Sequence, residues 1–184
     1  MIENQNHFNL DEHFFIINDS GKFTLDTELI QLIKYIRLES KWDFIRILNK
    51  LSKKDRLIIH GLFNPRLLAY LFINRKIIRQ CTWSIWGGDV YFYRFKNNSL
   101  KHNLIEFLRK SVIPDIPVIT ALVKGDYEIV SQVYGSKAQY IYSFYPNPVD
   151  FQQIDEKSIK KKQQATKIIM IGNSGDPSNN HREV

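Results

Sequence analysis

Two periods of apolar placement run through the chain. Short apolar runs at 14–17, 56–60, 80–86, 117–120 and 139–144 lie between polar or turn-forming flanks and read as strands. Between them the apolar residues recur at helical spacing. Leu29, Ile30, Ile33 and Ile36 predict one helix, and Phe44, Ile45, Leu48 and Leu51 predict another over 42–51. Asn64-Pro65 opens a third, with Asn64 as N-cap and Pro65 at the first helical position, running through Leu67, Leu68, Leu71 and Phe72. Further helices are expected over 98–112 and over 126–134, the second stopped by Gly135. Strands alternating with helices predict an α/β domain built on a parallel sheet.

Pro146-Asn147-Pro148 ends this pattern, and 150–166 is polar, rich in Lys and Gln, and suits a linker. A strand over 167–171 follows and runs into Gly172-Asn173-Ser174-Gly175-Asp176, a loop of the kind that precedes a helix. The expected organisation is a first domain over 1–149, a linker over 150–166, and the start of a second domain over 167–184.

Composition narrows this only in places. Apolar residues at 43% and charged residues at 24% are ordinary for a globular protein, whereas 13% aromatic suits a thick core or a stacking surface. No run approaches the ~18–20 apolar residues of a membrane span, and the polar N-terminus predicts no signal peptide. The single cysteine, Cys81, falls in a predicted strand and reads as a buried thiol in a reducing cytoplasm. A net charge of +7 asks for an anionic partner: nucleic acid, an anionic membrane or a sugar phosphate. Its Lys and Arg residues, including those over 94–110, read as solvated helix faces, so charge alone does not choose the partner.

Ligands of open parallel sheets bind at the carboxyl ends of strands, and three loops stand there. In the first, His60 is a general base, a hydrogen-bond donor to substrate or a packed histidine, with Gly61 and Asn64 permitting close approach. In the second, Asp89 follows Gly87 and Gly88. It takes a proton from an attacking hydroxyl or holds a substrate hydroxyl, with Trp83 or Trp86 facing a sugar ring, or it only caps a turn beside core tryptophans. In the third, glycine and backbone N–H groups can cradle a phosphate, although Walker and dinucleotide-binding spacings are both missing, and Asp176-Pro177 equally reads as a helix start. No Cys/His cluster has metal-ligand spacing and no nucleophile elbow occurs.

Taken together, the segments His60-Gly61-Leu62-Phe63-Asn64-Pro65-Arg66, Trp83-Ser84-Ile85-Trp86-Gly87-Gly88-Asp89-Val90-Tyr91 and Ile171-Gly172-Asn173-Ser174-Gly175-Asp176-Pro177-Ser178-Asn179-Asn180-His181 resemble the TDP-N-acetylfucosamine:lipid II N-acetylfucosaminyltransferase family, the 4-alpha-L-fucosyltransferases of bacterial envelope polysaccharide synthesis (glycosyltransferase family 56). Order and spacing agree over about residues 55–181. The resemblance implies a GT-B fold, in which this chain supplies the acceptor-side Rossmann-like domain and only the first strand of the donor domain. It implies a TDP-sugar donor, a polyprenyl-diphosphate-linked saccharide acceptor, and peripheral attachment to the anionic cytoplasmic side of the inner membrane, with no metal or other cofactor. Carried over, Asp89 and His60 are the catalytic candidates; Asn64, Trp86, Gly88, Gly172, Asn173, Ser174, Gly175, Asp176, Asn180 and His181 are the substrate-binding candidates. Members of the family are longer. The first strand and helix and most of the donor domain are therefore expected to be missing, and a chain so truncated to have little or no activity alone.

Two other readings stand beside this one. A non-catalytic basic module would bind anionic membrane or nucleic acid, although the basic residues lack the clustering of nucleic-acid domains and no nucleic acid is expected. A degenerate remnant would expose apolar surface and aggregate.

Overall fold

The computed structural model describes residues 12–17, 34–38, 42–95, 97 and 99–143. The expected linker over 150–166, the strand over 167–171 and the helical positions Leu29, Ile30 and Ile33 lie outside the described residues.

Two short strands, β1 (Phe14–Ile17) and β2 (Lys34–Arg37), pair in parallel, with Phe14 beside Lys34 and Ile16 beside Ile36. Its spacing from Ile33 predicts Ile36 in a helix. The residue lies instead in a strand, because β-branched and aromatic residues fit a pleated ladder once a partner strand exists, and a three-residue interval is weak evidence alone. Helix α1 (Asp43–Leu48) is shorter than the expected 42–51. Lys50 and Leu51 donate to the carbonyls of Ile47 and Leu48 at 3.0 and 3.2 Å, closing tight turns instead of extending the helix.

The second sheet carries the fold. Strands β3 (Leu57–His60), β4 (Cys81–Ser84), β5 (Val118–Ala121) and β6 (Gln139–Tyr142) lie side by side in chain order, all parallel. Between β3 and β4 come α2 (Pro65–Ile73) and α3 (Arg75–Ile78). Between β4 and β5 come α4 (Phe92–Phe95) and α5 (Leu100–Val112), then a 3-10 turn at Ile113–Asp115. Helix α6 (Lys124–Tyr134) joins β5 to β6. Right-handed crossovers between neighbouring parallel strands put the connecting helices on one face, and α2 packs against α5 there. This is a Rossmann-like α/β arrangement.

Register divides the sheet into two unlike faces. On the helix-covered face Ile59, Trp83 and Ile119 line up across three strands and are buried, with Leu57 beside buried Cys81 in the next row. On the opposite face His60, Ser84 and Thr120 line up in turn, one pleat from the core, and keep part or most of their surface. Trp83 therefore belongs to the core and cannot face a sugar.

The Gly135 stop expected from sequence is present, and Ser99 adds a cap not expected from sequence. Ser99 Oγ accepts from the His102 N–H at 3.3 Å at the start of α5, and Gly135 ends α6 at φ +70°. Two short helices, α3 and α4, have too few residues for a periodic signal and were not expected.

Candidate functional site

The carboxyl ends of β3 and β4 are adjacent, and the loops that leave them form the best-defined candidate site. After His60 the chain turns at Gly61, φ +73°, whose N–H donates to the Ser84 carbonyl at 2.9 Å. A Cβ on Gly61 would come within 2.5 Å of the Phe63 ring, so only glycine permits both the turn and this contact. The same ring lies against Gly88 in the neighbouring loop, within 3.9 Å of where a side chain would begin. Phe63 thus spans the two loops while most of its surface stays exposed.

Asn64 begins α2 as expected. Its Oδ1 accepts from the N–H groups of Arg66 and Leu67 at 2.9 and 3.4 Å, so this helix start is capped from within. The Arg66 guanidinium sits over the Trp42 ring at 5.2 Å.

Asp89 joins the loops from below. Its Oδ2 accepts from the Leu62 N–H at 2.8 Å and from Trp83 Nε1 at 2.7 Å, and its Oδ1 accepts from the Trp86 N–H at 3.0 Å. The residue is 1% exposed. A carboxylate so buried, already accepting from one N–H in each loop and from the core indole, suits holding the loops in register better than meeting a substrate hydroxyl.

Arg109, from the last turn of α5, completes the clamp. Also 1% exposed, it donates from Nη1 to the Leu62 carbonyl at 3.0 Å and from Nη2 to the Asp89 carbonyl. Its Nε donates to the Tyr134 hydroxyl at 3.1 Å, and the rings of Tyr134, Phe92 and Trp83 surround the guanidinium at 5.2, 5.4 and 5.9 Å. Tyr134 in turn donates to Glu106 Oε2 at 3.4 Å. Burial pushes the Tyr134 hydroxyl above its ordinary pKa, against the downward pull of Arg109, and Glu106 adds to the rise. The residues that follow β4 are tied to α6 as well, through the Tyr91 hydroxyl donating to Asp126 Oδ1 at 3.0 Å.

What remains at the rim is His60, exposed at the end of β3 beside Ser84 and Thr120, with Phe63 and Trp86 exposed on the two loops. The structure thus brings His60, Asn64, Trp86, Gly88 and Asp89 into one pair of adjoining loops. Gly172, Asn173, Ser174, Gly175, Asp176, Asn180 and His181 lie outside the described residues. Cys81 is buried, and the lack of solvent lifts its thiol to about 12, which makes it a packing residue and not a nucleophile. Among the described residues no three His, Cys, Asp or Glu side chains are grouped to hold a metal ion, and no helix is long and apolar enough to cross a membrane.

Phe63, Arg109, Tyr134 and Glu106 were not expected. Phe63 had a signal, since it stands two residues after a strand-terminating glycine. Arg109 had none: a basic residue near the end of an amphipathic helix reads as solvated, and only the tertiary fold shows it inside.

No solved structure matches the chain. The model of the family described as 4-alpha-L-fucosyltransferase, glycosyl transferase group 56, matches residues 2–184. That family transfers a sugar from a donor to an acceptor, and the match takes in both loops of the site. The chain belongs to this 4-alpha-L-fucosyltransferase family.

Proposed function

We propose that the described domain is the acceptor side of a GT-B fucosyltransferase. The reaction is transfer of N-acetylfucosamine from a TDP-sugar to a polyprenyl-diphosphate-linked saccharide, at the cytoplasmic surface of the bacterial inner membrane. One observation carries the site assignment. The Asp89 and Arg109 clamp uses buried groups to fix the two strand-end loops and leaves a histidine and two large aromatic rings at their rim. Aromatic faces suit the C–H surface of a sugar ring, and an imidazole nitrogen can accept a proton from a hydroxyl.

In this reading the acceptor hydroxyl attacks the anomeric carbon of the donor as the bond to the diphosphate breaks. His60 takes the hydroxyl proton, TDP departs, and Trp86 and Phe63 hold the acceptor sugar. Asp89 positions the loops and is not the base. Residues 172–176, with Asn180 and His181, are assigned to the donor diphosphate on their sequence alone, through backbone N–H groups that favour anions.

The test is acceptor binding followed by transfer. Adding the lipid-linked saccharide should change the tryptophan fluorescence, and Trp86→Ala should abolish that change. In a transfer assay supplemented with the donor-binding half of a longer family member, His60→Gln should lower the rate by about 100-fold or more while leaving the fluorescence titration within a few-fold of wild type. A wild-type rate for His60→Gln would remove His60 as base. No fluorescence response to acceptor would remove the site.

A further inference from the structure

Helix α5 is apolar on two faces. Leu100, Leu104 and Phe107 fall at i, i+4 and i+7 and form one stripe, and they are 89%, 59% and 54% exposed. The inward face of the same helix carries buried Leu108 and Val112 together with Glu106 and Arg109. A surface helix ordinarily turns its polar side outward, yet among the described residues Leu100 and Leu104 stand mostly in water and Phe107 is half-covered, by the Phe72 ring.

The stripe continues into a basic recess. The Phe107 ring meets the Phe72 ring of α2 at 5.7 Å, and the Arg75 guanidinium lies over Phe72 at 5.0 Å. Ile73, at the end of α2, is 77% exposed. Beyond it a recess of about 330 Å³ is lined by Arg75, Lys76, Arg79 and Asp115. Arg75 is held there by donating to the Ser111 carbonyl and pairing with Asp115 at 2.8 Å. Lys101 and Lys110 are exposed on the two flanks of the stripe.

We propose that this face is the membrane-docking surface. Leu100, Leu104 and Phe107 enter the headgroup–acyl boundary of an anionic bilayer, and Arg75, Lys76 and Arg79 hold a lipid phosphate in the recess. The occupant follows from the order of chemistry along the surface. A bilayer is apolar at depth and anionic at the top, and an exposed apolar stripe with cations along its flanks and at its end complements both layers. A helix of 13 residues, roughly 20 Å long, can lie flat in that interface. The inference goes beyond the proposed transfer reaction, which requires a lipid-borne acceptor but does not say which surface meets the membrane.

The experiment is flotation of the full 184-residue chain with vesicles of phosphatidylcholine, with and without phosphatidylglycerol. Each Lys or Arg near an anionic surface strengthens binding roughly fivefold. Binding should therefore rise at least about tenfold with the anionic lipid, and Lys76→Glu with Arg79→Glu should cancel the rise. Leu100→Glu with Leu104→Glu should remove binding to either vesicle, with thermal unfolding unchanged. Wild-type flotation by that leucine pair variant would overturn the proposal. So would a leucine pair variant that only converts a dimer to a monomer, which assigns the stripe to self-association, or complete displacement from vesicles by duplex DNA, which assigns the cations to nucleic acid. Flotation does not depend on sugar transfer, so a failed transfer assay leaves this result standing and the reverse also holds.

Discussion

The two faces of α5 are both apolar, but only one is charged within. Its inner face buries Glu106 and Arg109 beside Leu108 and Val112, and its outer face carries Leu100, Leu104 and Phe107. The inner charges have partners: Arg109 holds the carbonyls of Leu62 and Asp89, and Tyr134 stands between Arg109 and Glu106. A buried cation persists because it closes two loops that would otherwise leave polar backbone unpaired. Of the outer apolar groups Phe107 meets the Phe72 ring of α2, and Leu100 and Leu104 stand mostly in water. The difference teaches that the helix serves two surfaces, one shaped for the site and one turned to the outside.

Breaking the inner side should have the largest effect. Asp89→Ala leaves the Leu62 and Trp86 N–H groups and the Trp83 indole N–H without their acceptor. The expected loss is roughly 3–5 kcal/mol, read as a lower midpoint in urea unfolding. Arg109→Met keeps volume and apolar contact with the three surrounding rings but frees both loop carbonyls, for an expected loss of about 2–4 kcal/mol. Arg109→Lys should recover little of it, because one ammonium cannot reproduce a planar fork directed at two carbonyls. A melting temperature for Arg109→Lys equal to wild type would show that charge alone, and not geometry, closes the loops.

These residues mark the border of what was legible in the sequence. Alternating apolar runs and capped helices foretold the parallel sheet, because local period and cap chemistry are encoded within a few residues, as at Asn64 and Gly135. The candidate loops were legible for the same reason: glycines that end strands are local signals. The division of labour within them was not. Whether Asp89 faces a substrate or three internal N–H groups depends on Leu62, 27 positions away, and Arg109 reaches Leu62 across 47. Pattern reading works in windows shorter than either distance. Ile36 failed in the opposite direction, since a local helical interval yielded to a pairing with β1.

A smaller effect sharpens the inner side. Tyr134→Phe removes a hydroxyl that accepts from Arg109 and donates to Glu106, with an expected cost of about 1–2 kcal/mol at neutral pH. It should also change the alkaline limb. Folding raises the Tyr134 pKa above its ordinary 10.0, chiefly by burial, so above that value the unfolded chain releases this proton while the folded chain keeps it. Stability from this group is full below pH 10 and is lost as pH climbs through the raised value. Unfolding midpoints measured upward from pH 9 should fall less steeply for Tyr134→Phe than for wild type. An unchanged slope would mean that Tyr134 does not titrate differently in the folded chain.

The smallest expected change lies on the outer face, and it makes the comparison decisive. Leu100→Glu with Leu104→Glu places two charges on the same helix that cannot lose Arg109, yet stability should move by no more than about 0.5 kcal/mol per site. Both side chains already stand mostly in water, so little apolar contact is given up. A fall comparable to that of Arg109→Met would mean that the stripe is part of the folding core and is covered from within the chain. An unchanged melting temperature together with lost vesicle binding would separate the two faces by function, the inner one holding the site and the outer one addressing the bilayer.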